Sequence, residues 1–204
     1  MARVTTKTGV ANLAASLLKV EAVTNIDPPA PNSKFAKLAN RWYDEIRRSC
    51  LSERAWDFAI KRVTLAADST APAFGRGYRY LLPTDYIRLA TINDEKLPET
   101  DYEIEDGYLV CDFAPPINVR YVFDQEIVTK FSPKFVMLFS TALAQVCAYD
   151  MTGNRSMVEE MRMQYANLLT DAGVIEAQSN PPKTIRRSKW SAARLFGYVT
   201  SERN

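Results

Sequence analysis

The spacing of apolar residues along this chain changes from a helical period to a two-residue period and back again. Val10, Leu13, Ala14, Leu17 and Leu18 recur at helical spacing and predict a short first helix over about residues 9–20. The stretch NIDPPAPNS (25–33) interrupts it, because its three prolines cannot continue a helix. A second helix is predicted from about Ser33 to Arg54, with Phe35, Leu38, Ala39, Trp42, Ile46 and Cys50 on one face. Lys34, Lys37, Arg41, Asp44, Glu45, Arg47 and Arg48 form its polar remainder.

From Ala55 to Phe123 the period is two. In WDFAI, alternation puts Trp56, Phe58 and Ile60 on one side, but Val63 and Leu65 then continue with the opposite parity. That slip predicts a bulge near Lys61-Arg62. YRYLLPTDYIRLA (78–90) reads as strand, turn, strand. Pro83 sets the turn, Asp85 bonds back to nearby amides, Tyr80 and Leu82 face the core, and Arg79 and Arg88 lie near the surface. YEIEDGYLV (102–110) is a hairpin turning at Asp106-Gly107, a dipeptide that tolerates positive φ. INVRYVF places Ile117, Val119, Tyr121 and Phe123 on one face. The segment predicts a mostly antiparallel sheet of about five to six short strands.

Helical spacing returns at Ser132-Pro133, an N-cap hydroxyl followed by a residue whose missing N–H costs nothing in the first turn. Phe135, Leu138, Phe139, Ala142, Val146 and Tyr149 form one stripe, widened by Val136, Leu143 and Cys147, which predicts a central helix. Gly153 is expected to end it. The next helix begins at Asn154 or Ser156, where SMVE (156–159) has the form of a capping box. It carries Val158, Met161, Tyr165, Leu168, Leu169 and Ala172, and runs to about Gln178.

The fold class implied is α+β: a four-helix bundle with an inserted antiparallel β-rich layer and an extended C-terminal arm. Residues 1–54 and 130–179 would form the bundle, 55–129 the inserted sheet, and 180–204 the arm.

Composition narrows the chemistry. The 204 residues are 47% hydrophobic and 25% charged with a net charge of +2, which is ordinary globular composition and not the marked basicity of a nucleic-acid-binding domain. There are no histidines, which removes Ser-His-Asp and Cys-His nucleophile systems and histidine-containing zinc sites. Cys50, Cys111 and Cys147 are far apart, form no CxxC pair, and read as reduced, buried thiols. The N-terminus has a weakly basic start, its apolar part keeps helical spacing, and no hydrophobic run is long enough to span a membrane. A soluble protein made in the cytoplasm is expected.

Three candidate chemistries are weak. Asp101, Glu103, Glu105, Asp106 and Asp112 cluster on the hairpin, and paired carboxylates can cleave glycosides. No apolar pocket is evident to raise the pKa of one, so a solvated hairpin is the plainer reading. Gly75-Arg76-Gly77 lacks the spacing of a phosphate-binding loop and reads as a flexible connection. Tyr78, Arg79, Tyr80, Tyr86 and Arg88 could imitate a base-stacking platform, yet their alternation is that of ordinary strands. No catalytic, metal-binding or cofactor-binding residue is assigned, and no cofactor is expected.

The segment after Ser179 is the strongest functional signal. Lys183, Arg186, Arg187, Lys189, Arg194 and Arg203 stand against the single acid Glu202, with Trp190, Leu195, Phe196 and Tyr198 interleaved. Basic and aromatic residues so mixed can bind nucleic acid, an anionic membrane or another protein, and docking on a protein is favoured over nucleic acid.

The ordered pieces ERAWDFAIKRVTLA, YRYLLPTDYIRLATI, YEIEDGYLVCDFAPPINVRYVFD and FSPKFVMLFSTALAQVCAYDMTGN follow the N-terminal VANLAASLLKVEAVTNID. Over about residues 8–178 the chain resembles the tail tubular protein A-like head-to-tail adaptors of short-tailed bacteriophages. The resemblance implies a non-enzymatic virion protein at the head–tail junction, assembled in the host cytoplasm, typically as twelve copies in a ring. It would join the portal protein to a distal tail tube or nozzle protein. Genomic DNA would pass through its channel without sequence-specific contact, and no membrane is involved. Extended terminal segments in the family grip the portal or a neighbouring subunit, a role that would fall here to Arg186, Arg187, Lys189, Trp190, Arg194, Phe196 and Tyr198. Some relatives are credited with cell-wall or polysaccharide hydrolysis, but no residue here supports carrying that activity over. The alternatives are a nucleic-acid-binding module using the same arm and, less favoured, a glycan hydrolase of the tail.

Overall fold

The structure, a computed structural model, describes residues 4–27 and 33–179, with Glu99 and residues 173–179 described by backbone alone. It is mixed α+β: four helices and two three-stranded antiparallel sheets. A first compact unit ends at Leu168, and the described part of the second, from Leu169, is the remainder of the last helix.

Helix α1 spans Lys7–Leu17, capped by Thr6, whose hydroxyl accepts from the Gly9 amide at 3.0 Å. Helix α2 spans Lys34–Glu53 with Ser33 as its cap. Its buried face is rotated from the expected one: Phe35, Ala36, Ala39, Tyr43, Arg47, Cys50 and Leu51 are buried, while Trp42 is exposed. The rotation is possible because Arg47, expected on the polar side, finds acceptors inside the protein in Asp124 and the Gln125 carbonyl.

Helix α3, Pro133–Thr152, starts at Ser132 and ends at Gly153, whose φ of 66° is the left-handed conformation that glycine adopts without penalty. By length and apolarity it could cross a membrane, which corrects the expectation that no run is long enough. Its apolar surface is used internally instead. Phe135, Leu138, Phe139, Leu143 and Cys147 are fully buried, and α1 and α2 both pack against it. Tyr149, expected in the buried stripe, is 54% exposed. Helix α4 spans Arg155–Ser179, and the Asn154 side chain accepts from the Ser156 amide at 2.9 Å. Of the two expected starts, Asn154 is the one that caps the helix, and Ser156, the first residue of the expected capping box, lies inside it.

The β-rich segment forms two sheets rather than one. The first has the order β1 (Ile60–Leu65), β6 (Ile117–Phe123), β3 (Tyr86–Ile92). The second has the order β2 (Tyr78–Leu81), β5 (Tyr108–Cys111), β4 (Tyr102–Glu105). Their apolar sides share one core of Tyr80, Leu82, Ile92, Leu109, Cys111, Ile117, Val119 and Tyr121. The hairpin turn is as expected, with Asp106 and Gly107 both at positive φ (46° and 77°).

The expected bulge near Lys61-Arg62 is absent: β1 pairs with β6 in unbroken register. The change of parity arises earlier, in a 3-10 turn at Asp57–Ala59 that rotates the chain before the strand begins. Register shifts occur instead in β3, between Tyr86 and Arg88 and between Leu89 and Thr91.

An aromatic cluster joins helices to strands. Trp56 meets Phe135 edge-on at 5.1 Å between ring centroids, and Phe58 lies 5.7 Å from Phe131 and 5.1 Å from Phe135. The Trp56 indole N–H donates to the Cys50 carbonyl at 2.9 Å, satisfying a backbone oxygen in the last turn of α2.

Candidate functional site

The residues expected to dock on a partner, Arg186, Arg187, Lys189, Trp190, Arg194, Phe196 and Tyr198, lie outside the described residues. Each of the other candidates can be placed.

The stretch YRYLLPTDYIRLA does not form a hairpin. Its two strands belong to different sheets, and the turn between them, closed by the Tyr86 amide on the Pro83 carbonyl at 3.0 Å, carries the chain across the core. Tyr80 is fully buried, with its hydroxyl donating to the Phe113 carbonyl, and Tyr86 stacks on Tyr121 with ring centroids 6.0 Å apart. The Tyr80 ring is thus closed to a base, Tyr86 is half-buried, and Tyr78 is exposed. Arg88 donates to the carbonyls of Ser52 and Glu53 and so closes the C-terminal end of α2. Arg79 stands over the Tyr108 ring and pairs with Asp68. Asp85 bonds back to its own backbone amide, and its carboxylate also takes Lys61 and the Tyr121 hydroxyl.

Two carboxylates of the hairpin region, Glu103 and Asp112, are engaged by Arg76. Asp112 accepts from Arg76 at 2.9 Å and from the Gly77 amide at 2.8 Å, and these bonds hold its pKa below the usual carboxylate range. A general acid for glycoside cleavage needs the opposite shift. Glu103 also lies 3.6 Å from Arg76. The Gly75–Gly77 loop, expected to be a loose connection, is thus tied down by Arg76, which also donates to the Thr100 carbonyl. Among the described residues, no cluster of three or more Cys, Asp or Glu side chains could hold a metal ion.

One surface feature was not anticipated. On the side of the β1-β6-β3 sheet facing away from the inter-sheet core, a shallow cleft of about 310 Å³ is lined by Arg62, Val63, Thr64, Asp94, Asn118, Val119 and Arg120. One end of this sheet side is occupied by the buried Val122 and by Arg88 reaching α2. The other end stays open, and there Arg62 and Arg120 face each other as register partners. Arg120 is ion-paired with Asp94, and the Thr64 hydroxyl donates to the Asn118 side-chain oxygen at 2.8 Å. The two arginines stand 58 positions apart in the sequence, so only strand pairing reveals them as neighbours.

Large apolar side chains are also exposed on the helices: Trp42 on α2, Met137 and Tyr149 on α3, and Met163 on α4. Compared with known protein families and with curated proteins, the chain matches none.

Proposed function

We propose that the protein is a head-to-tail adaptor of a short-tailed bacteriophage, one subunit of a ring between the portal and the distal tail, working by shape and contact rather than by chemistry. The observation that carries this reading is where the family-like pieces fall in the fold. Trp56-Asp57-Phe58 connects α2 to β1, Pro83-Thr84-Asp85 passes the chain between the two sheets, and Phe131-Ser132-Pro133 leads into α3. Each piece sits at a junction between elements, as residues that mark a shared fold do.

In this reading α4 completes a four-helix bundle. Met161 is 1% exposed, and Tyr165 shares hydrogen bonds with Cys50 and Glu53 of α2, which favours that closure. The exposed Trp42 on α2 and Met163 on α4 offer apolar area to ring neighbours. The basic-aromatic segment from residue 181 onward is the portal-docking arm.

The test is a chain ending at residue 180 mixed with portal rings. It is expected to fold with unchanged far-ultraviolet dichroism from the helices and to lose portal binding. Undiminished portal binding by the shortened chain would remove the arm's role. Duplex DNA affinity that needs the arm and falls steeply with salt, without portal binding, would establish the nucleic-acid reading instead.

A further inference from the structure

We propose that the Arg62–Arg120 cleft receives the acidic β4–β5 hairpin tip, Glu105-Asp106, of a second copy of this chain. The inference rests on the ring reading and names a contact between neighbouring subunits.

The cleft carries an electrostatic cost that a partner would relieve. Arg62 and Arg120 are directly opposed on adjacent antiparallel strands, an arrangement that is unfavourable for like charges. Asp94 is ion-paired with Arg120, and Arg62 has no ion-pair partner among the described residues. The bond from Thr64 occupies the side-chain oxygen of Asn118 and leaves its amide N–H₂ as a further donor beside the two guanidinium groups. The site offers donors in excess over acceptors and is too open to enclose a small molecule.

The complementary surface lies on the same chain. Glu105 and Asp106 are exposed at the end of the hairpin and, among the described residues, have no ion-pair partner. The two-residue turn holds Asp106 and Gly107 at positive φ, which presents the two carboxylates on a defined support. Arginine donates to carboxylates in a bidentate fork, so Arg62 can take one acid of the tip while Arg120, already paired with Asp94, adds a second cation beside it. Cleft and tip are different patches, so the contact is head-to-tail, the type that closes rings. Two arginines offset by one acid are too few cations for appreciable affinity for a nucleic-acid backbone, which depends on neutralising several phosphates. A net charge of +2 over the whole chain leaves little general repulsion between copies.

The test follows amide NMR signals of the full chain as its concentration rises from micromolar to millimolar. The expected result is a concentration-dependent shift at two places together, around Arg62, Asn118 and Arg120 and around Glu105 to Gly107. The shift should diminish between about 0.05 and about 0.5 M salt as the screening length shortens. The double variant Arg62→Glu/Arg120→Glu should weaken association about tenfold or more. Combining it with Glu105→Lys/Asp106→Lys should restore association, which a merely unfolded variant cannot do. Absence of concentration dependence, movement of only one of the two surfaces, or no rescue by the charge swap overturns the proposal. So does a cleft that titrates with short duplex DNA while the chain does not self-associate. Loss of portal binding by the chain ending at residue 180 is a separate readout, so failure of the cleft contact and failure of the adaptor reading are distinguishable.

Discussion

Arg47 and Asp124 form an ion pair at the junction of α2 with the chain leaving β6, and the arginine is only 1% exposed. Arg47 also donates to the Gln125 carbonyl at 2.9 Å, and Asp124 receives Arg48 at 2.8 Å through its other oxygen. One aspartate thus gathers two consecutive helical arginines and holds the helix to the strands. Replacing Arg47 by leucine should leave Asp124 largely buried with only an exposed partner, at a cost of about 3 kcal/mol in urea unfolding. Arg48→Ala, on the exposed side, should cost about 1 kcal/mol or less.

Trp56 links the aromatic cluster to the end of α2 through its bond to the Cys50 carbonyl. Trp56→Phe keeps most of the ring contact but loses the donor, and thermal unfolding should show a loss of about 1–2 kcal/mol. Trp56→Ala should cost about 3–5 kcal/mol, because a cavity is added to the lost contact.

Asp85 titrates below the ordinary carboxylate value. Burial acts to raise its pKa, but the bonds from Lys61 and the Tyr121 hydroxyl outweigh burial. A folded-state pKa below the unfolded one means that the stabilisation is fully present above about pH 4 and is lost as pH falls through the folded value. Asp112 has the same sign, held down by Arg76 first and then by the Gly77 amide. Asp85→Asn should lower stability at pH 7 and reduce its loss towards pH 3, measured by urea titration at both values. An unchanged acid dependence would contradict this role.

All three cysteines are free and buried. Burial raises all three thiols, pushing Cys50 and Cys147 up to about 12. The folded protein at pH 8 should therefore show no rapidly reacting thiol with an aromatic disulfide reagent, and all three should react once urea unfolds the chain. A fast thiol in the native state would show that one of the three sites opens locally.

The local elements were largely legible in the sequence. Ser132-Pro133 and Gly153 bound α3 because caps act within one turn and depend on the neighbouring residues alone. Asp106-Gly107 makes its hairpin for the same reason, since the turn requires positive φ and those residues supply it. The buried face of β6 and most of that of α3, Tyr149 excepted, followed from periodicity, and on α4 it picked out the buried Met161 and Ala172.

What periodicity could not supply was the partner of each element. Hydrophobicity placed Trp42 inside and Arg47 outside, but the structure exposes Trp42 and buries Arg47, because Asp124 and the Gln125 carbonyl wait on a distant segment. A change of parity after Trp56 looked like a bulge, since a 3-10 turn and a bulge shift alternation alike. The split of YRYLLPTDYIRLA between two sheets, and the Arg62–Arg120 cleft, depend on which strands pair. The sequence by itself determined caps, turns and apolar stripes, which arise from residues within a few positions of one another. Only the tertiary structure decided strand partners, buried charges and clefts, because those energies come from groups far apart in the chain that folding brings together.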